Sequence, residues 1–217
     1  VLIHPWDEPL TGEDPLAFVR RTAFGHLVAP GRREVPVVVP TQYVVGETTA
    51  EPFPDVLLHL ARPNPIWAAL AESPTVVLSV AGEWAYVPAA WKAVGDEDPA
   101  LGIPTTYYAA VQLVATAEIL DDPAAKLAVL RSQLGAFEPG SGVADPAVHE
   151  RRLAGIRGLR LSVREVLAKF KYGGNVDAEH RAAVADRLAA RGGPGDAAAR
   201  EHVKARSDFS AMMAGGG

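Results

Sequence analysis

Two stretches of the chain carry side chains able to hold a ligand. The first is Leu57-Leu58-His59-Leu60-Ala61-Arg62-Pro63-Asn64-Pro65-Ile66-Trp67, which offers an imidazole, a guanidinium and an amide. Val56 to Leu60 reads as a short strand, and Pro63 and Pro65 break regular structure because neither has a backbone donor. From Pro65 onward Ile66, Ala69 and Leu70 fall at helical spacing, and proline suits a first helical turn. Backbone N–H groups at a helix start, with an arginine beside them, make a seat for an anion. A buried histidine beside a surface arginine is the plainer alternative. The second stretch is Lys169-Phe170-Lys171-Tyr172-Gly173-Gly174-Asn175. If extended, it places both lysines on one side and both aromatic rings on the other. Paired lysines bind phosphates or carboxylates as point charges, and the glycines let a ligand approach the backbone. A solvated lysine pair at a strand end is the alternative here.

Other chemistries lack their residues. The six histidines form no HExxH or other tight chelating pair, so no metal site is expected. His149 and His180 fall in polar helical stretches and are expected to be solvated. His4, near Trp6 and Asp7, suits an N-terminal structural contact. His59 alone lies in an apolar strand, where burial would require a partner. There is no GxSxG elbow, no phosphate loop and no GxGxxG after a strand. The absence of cysteine excludes disulfides, thiolate metal sites and thioether-linked haem. A net charge of −5, without a basic cluster, speaks against direct nucleic-acid binding. No signal-peptide pattern and no apolar run of roughly 20 residues is present, so a cytoplasmic location away from membranes is expected.

These residues need a scaffold. Helical spacing is expected near Leu16 to Arg20, from 65 to 72, from Asp122-Pro123 through Leu127, Leu130 and Leu134, from Pro146 to Leu153, and over Asp177 to Arg191. A last polar helix begins at Asp196. Extended segments are expected at Thr22–Val28, Val35–Val45, Val56–Leu60, Thr75–Ala81 and Trp84–Pro88, with Gly82-Glu83 as a turn between the last two. The longest strand is expected at 105–119, with Tyr107, Ala109, Val111, Leu113, Ala115 and Ala117 on one face. Leu159, Leu161 and Val163 mark another strand. Turns are expected at Pro30 to Arg33 and Thr48 to Pro54, with a mobile acidic loop at Gly95–Gly102. Many strands without βαβ alternation imply an α+β, mainly β fold: a closed or split antiparallel barrel with peripheral helices and a helical C-terminus. The expected organisation is a barrel domain over 1–175, a helical extension over 176–213 packed on it, and a flexible tail at 214–217.

Four motifs in order resemble the PaiB-like family of FMN-binding proteins. They are His59 to Trp67 (HLARANPxW in the family), Ala85-Tyr86-Val87-Pro88 (AYISP), Ile103-Pro104-Thr105, and Lys169-Phe170-Lys171 with Asn175. The family's PTWNY is Pro104-Thr105-Thr106-Tyr107-Tyr108 here, and its KLSQN is Lys171-Tyr172-Gly173-Gly174-Asn175. The resemblance implies an FMN-binding split barrel, a homodimer and an FMN site near the dimer interface. It marks His59, Arg62, Asn64, Tyr86, Trp91, Thr105, Tyr108, Lys169, Lys171 and Asn175 as cofactor-binding positions. Arg62, Lys169 and Lys171 would meet the phosphate, and Tyr86, Trp91 or Tyr108 would line the ring. The expected function is a small FMN-dependent oxidoreductase acting on an unspecified small molecule. One alternative is a haem b enzyme resembling the piperazate synthases, which join two nitrogens, with His59 as axial ligand. The others are a non-enzymatic transcriptional regulator and a cofactor-free relic of the fold.

Overall fold

The alternation expected along residues 105–119 is realised from Tyr107 to Glu118, while Ile119 is exposed. Strand β6 (Thr105–Leu120) buries Tyr107, Ala109, Val111, Leu113, Ala115 and Ala117 on one side. The computed structural model describes residues 1–31, 35–46, 52–140 and 152–214, with side chains as far as 206. The other strands are β1 (Phe24–Ala29), β2 (Val37–Gln42), β3 (Val44–Val45), β4 (Val56–Ala61), β5 (Thr75–Val87) and β7 (Ile156–Lys171). They form one seven-stranded sheet in the order β2-β1-β5-β6-β7-β4-β3. The helices are α1 (Pro15–Thr22), α2 (Ile66–Glu72), α3 (Pro123–Phe137), α4 (Ala178–Arg191) and α5 (Asp196–Ala214). The fold is α+β and mainly β, an antiparallel split barrel rather than a closed one. Its two end strands, β2 and β3, are successive pieces of one extended segment, β2 pairing with β1 and β3 with β4. Tyr43 marks the switch between them, with its N–H bonded to Ala23 O and its hydroxyl donating to Val19 O at 2.9 Å. Among the described residues no helix is long and apolar enough to cross a membrane.

Two compact units divide the chain. One comprises Val1–Pro15, Ala81–Ala110 and Ala168–Gly217, and the other Leu16–Val80 and Val111–Leu167. The C-terminal helices thus group with the N-terminal segment and residues 81–110. In that unit α4 starts at Asp177, whose carboxylate caps the His180 N–H, and ends at Gly192 in the left-handed conformation, turning the chain back so that α5 packs on α4.

Several local expectations are corrected. Gly82-Glu83 is not a turn: β5 runs unbroken from Thr75 to Val87, and the buried phase shifts from Val76, Leu78 and Val80 to Ala85 and Val87. The Leu159–Val163 strand likewise continues to Lys171, which makes the lysine stretch extended. In α3 the leucines Leu127, Leu130 and Leu134 are only half-buried, while Lys126, Val129 and Gln133 are fully buried. Partners explain this. Lys126 Nζ reaches Leu153 O at 3.0 Å and Asp121 at 3.2 Å, and Gln133 Oε1 meets His59, which places this polar face against β4, with Gln133 Nε2 alone left without a partner on it among the described residues. The helix expected at Pro146–Leu153 as far as residue 151, His149, most of the turn and loop at 30–33 and 48–54, and the tail after 214 lie outside the described residues.

Asp121 joins Arg62, Lys126 and Arg157 in one ion cluster. The Arg62 guanidinium, and then Lys126, pull its carboxyl down to about 2. A depressed carboxyl pKa stabilises the fold above its unfolded value, and that contribution is lost as pH falls through the folded value. Asp121→Asn should therefore lower Tm at neutral pH. In thermal melts across pH, the gap to the parent protein should narrow below about pH 4 and vanish near pH 2. A gap independent of pH would contradict this.

Candidate functional site

In the unit containing the chain termini, the ends of three elements meet at one place, and two of them supply cations. The exit of β7 carries Lys169 and Lys171, the start of β6 carries Thr105 and Tyr107, and a 3₁₀ turn at Ala89–Lys92 carries Lys92. These residues line a cavity of about 280 Å3 with His4, Trp6, Asp7, Ile103, Gly173 and Asn175. The alternation read from the sequence is realised here. Both lysines of β7 reach the cavity while Phe170 and Tyr172 are buried behind them.

The N-terminal segment closes one wall. Pro5 opens a 3₁₀ turn, and the His4 and Trp6 rings stack at 4.7 Å. A Cβ at Gly174 would sit 2.1 Å from Trp6 O, so the backbones can touch there only because residue 174 is glycine. The buried Arg206 guanidinium donates to Trp6 O at 3.0 Å and to Glu8 O and Phe170 O at 2.7 Å, fixing this wall to the end of β7. His4 is thus the structural contact expected.

The three lysines are not equivalent. Lys169 Nζ donates to Leu2 O at 2.8 Å and lies 3.3 Å from the buried Asp7 carboxylate. Among the described residues, neither Lys92 nor Lys171 has a carboxylate partner. Burial, and then the charge of Lys171, lower the Lys92 pKa below its ordinary value. Two unneutralised ammonium groups facing one space favour an anion between them. Among the described residues no His/Asp/Glu group is gathered as a metal site.

Lys92 and Ile103 also border a second cavity of about 450 Å3, with Glu97, Asp98, Leu101 and His180 on its walls. Two contacts are made within the Gly95–Gly102 stretch here. Asp98 caps the 3₁₀ turn Pro99–Leu101, and Glu97 accepts from His180 Nε2 at 3.0 Å. His180, expected to be solvated, is partly exposed but also partnered, the capping carboxylate of Asp177 holding its Nδ1 at 2.8 Å. The hydrogen bonds to Asp177 and then to Glu97 raise its pKa. Tyr86 lines a separate cleft with Trp84 and Arg191, and Arg191 lies 4.5 Å above the ring of Trp91.

Four of the ten sequence-assigned positions, Thr105, Lys169, Lys171 and Asn175, therefore meet in one cavity. Tyr108 is half-buried on the other face of β6. His59, Arg62 and Asn64 belong to the other unit, each with a local partner. His59 Nδ1 lies 2.5 Å from Gln133 Oε1, and the Arg62 guanidinium bonds Asp121 and Ala154 O. Asn64 Oδ1 accepts from the Ile66 N–H at the start of α2. Sequence reading missed Lys92, Trp6 and Tyr107. Only Tyr107 left a signal, since a tyrosine on a buried face needs a partner for its hydroxyl.

The donor set suits a phosphate monoester, and the flat His4–Trp6 pair offers an aromatic surface beside it. A cavity of about 280 Å3 falls just below the usual size for a whole ligand of roughly 300–1,000 Å3, but shares its border with the larger one. The residues present thus fit the phosphate end of a flavin mononucleotide.

Comparison with known proteins points the same way. Residues 10–165 match the family described as "Putative FMN-binding domain". The fold is similar to that of the flavocytochrome Anf3 from Azotobacter vinelandii, with TM-score 0.57 and 22% identity over 73% of this chain and 66% of that one. This chain thus spans just under two thirds of the flavocytochrome. It is also similar to the FAD and haem binding protein from Mycobacterium smegmatis (TM-score 0.54, 20% identity, 74% of this chain and 72% of that one). A third similar structure is the conserved hypothetical protein Rv2991 from Mycobacterium tuberculosis (TM-score 0.55, 15% identity, 78% and 90%). These likenesses are of fold. No curated protein matches the chain in sequence.

Proposed function

The chain belongs to this FMN-binding domain family, and from that premise we propose that it is a small FMN-dependent oxidoreductase whose cofactor phosphate sits between Lys171 and Lys92. The observation that carries the reading is the pair of unneutralised lysines facing one cavity. Arg62 and Lys169, expected from the resemblance to share the phosphate, are each bound to a carboxylate, which leaves the charge of the seat to Lys171 and Lys92. Thr105 and Asn175 add neutral hydrogen-bonding groups on the same walls, and Trp6 offers its ring face to the flavin. Bound FMN supplies hydride and electron transfer to a small-molecule substrate. The chain's own residues bind the phosphate, orient the nucleotide and limit water at the lysine pair. Leu101 and Ile103, 80% and 74% exposed at the rim, leave apolar surface for a second copy of the chain to cover, in keeping with a homodimer.

One observation favours a second reading, haem b with His59 as axial ligand. If Gln133 Oε1 accepts from Nδ1–H, Nε2 is left with the free lone pair that iron needs. An absorption spectrum decides between the two. Protein incubated separately with FMN and with haem and then freed of unbound cofactor should retain the two-banded flavin spectrum. His59→Ala should leave FMN retention nearly unchanged. An intense haem band lost in His59→Ala would establish the second reading instead, and a featureless spectrum in every case would end both.

A further inference from the structure

Tyr107 is 1% exposed, and its hydroxyl is buried without a hydrogen-bond partner among the described residues. Burying an unpaired hydroxyl is costly, and such groups usually find protein, water or a ligand. The hydroxyl abuts Gly173, where a Cβ would lie 2.5 Å from Oη and 3.2 Å from the ring carbon bearing it. Gly173 also has φ +75°, so a side chain there would be strained as well as in the way. Both residues line the lysine cavity. Behind the tyrosine, the Tyr172 ring meets it edge-on at 6.1 Å and itself stacks on His202 at 4.4 Å. The ring is therefore held while its buried polar end is left without a partner among the described residues.

We propose that Tyr107 is an anion-binding residue whose hydroxyl donates to a phosphate group held by Lys92 and Lys171, in space that Gly173 keeps free. The proposal rests on the cavity being the phosphate seat described above. It accounts jointly for two departures from the motifs the chain resembles. Tyrosine stands at the asparagine position of PTWNY, and glycine at the serine position of KLSQN. The larger residue at 107 needs the missing Cβ at 173, and its hydroxyl replaces polar groups lost at both places. Burial pushes the Tyr107 hydroxyl up to about 12, so it remains a donor throughout the neutral range.

Calorimetric titration with inorganic phosphate, FMN and riboflavin tests this on the parent protein and on Tyr107→Phe, with a thermal melt of each. A hydrogen bond to a charged group predicts roughly 10- to 100-fold weaker phosphate and FMN binding in Tyr107→Phe, with riboflavin unaffected. Because the lost hydroxyl had no partner, the same variant should melt about 2–4 °C higher. A merely structural tyrosine would not combine higher stability with weaker anion binding. Unchanged phosphate affinity, or a lower Tm, overturns the proposal. Gly173→Ala should also lose phosphate binding, and adding Tyr107→Phe should restore part of its stability by removing the atom nearest the new Cβ. A double variant no more stable than Gly173→Ala would count against the coupling. If the parent binds phosphate but not FMN, the flavin reading fails while Tyr107 is still judged on phosphate. If it binds neither, both fall.

Discussion

The Lys92→Met/Lys171→Met double variant is expected to bind FMN at least about a hundredfold more weakly than the parent, while riboflavin binds both alike. Each charge-assisted hydrogen bond to a phosphate is worth about 1.5–3 kcal/mol, or roughly tenfold to a hundredfold per lysine. Methionine keeps most of the apolar stem and removes only the ammonium, so the walls should stay in place. Like charges near one another in a partly buried space also oppose folding of the ligand-free protein. The double variant should therefore melt no lower than the parent in the absence of FMN. That opposition separates a binding role from a structural one. A fluorescence titration reads the affinities, since flavin emission changes on binding. Equal losses for FMN and riboflavin would mean that the cavity had collapsed. No loss for either would place the phosphate elsewhere, and the flavin reading would have to leave this cavity. Lys169→Met should behave differently, because its ammonium already faces the Asp7 carboxylate and the Leu2 carbonyl.

Arg206→Met is expected to lower stability by about 3–5 kcal/mol, a fall in Tm of about 10 °C or more. Arg206 is 4% exposed, and its guanidinium serves the carbonyls of Trp6, Glu8 and Phe170 while lying 3.7 Å from Glu13. Removing it leaves carbonyl acceptors short of donors and a carboxylate short of a cation, in surroundings that water reaches poorly. The loss should also reach the site. Trp6 and Asp7 form one wall of the lysine cavity, and this guanidinium fixes their segment to β7. At a temperature where the variant is fully folded, FMN should still bind more weakly than to the parent. A change in Tm below about 3 °C would show that the three carbonyls find other donors.

What could be read from the chain, and what could not, follows the range of the forces involved. The period-two alternation at 105–119 reflects a strand facing one core, and the structure buries the six residues it named. The helix over 65–72 and the start of α4 at Asp177 were legible because proline and capping residues act within one turn. Gly82-Glu83 misled, because a glycine inside a strand and a glycine in a turn look alike without the neighbouring strands. The α3 stripe misled for a related reason. Leucine spacing shows which face is apolar, but whether a lysine or glutamine can be buried depends on Asp121, Leu153 and His59, which are distant in sequence.

The same division holds at the site. By itself the sequence determined that Lys169 and Lys171 share one side of a strand, that Thr105 and Asn175 belong with them through the motif resemblance, and that no thiol chemistry is available. Those are matters of composition and of spacing along one chain. Only the tertiary structure decided that Asp7 neutralises Lys169, that Lys92 faces Lys171 from another element, that Arg62 is bound to Asp121, and that the buried Tyr107 hydroxyl lies beside Gly173 without a partner among the described residues. Each depends on residues brought together from dozens of positions apart, and the charge balance of a buried site is set by such through-space neighbours, which local spacing does not encode.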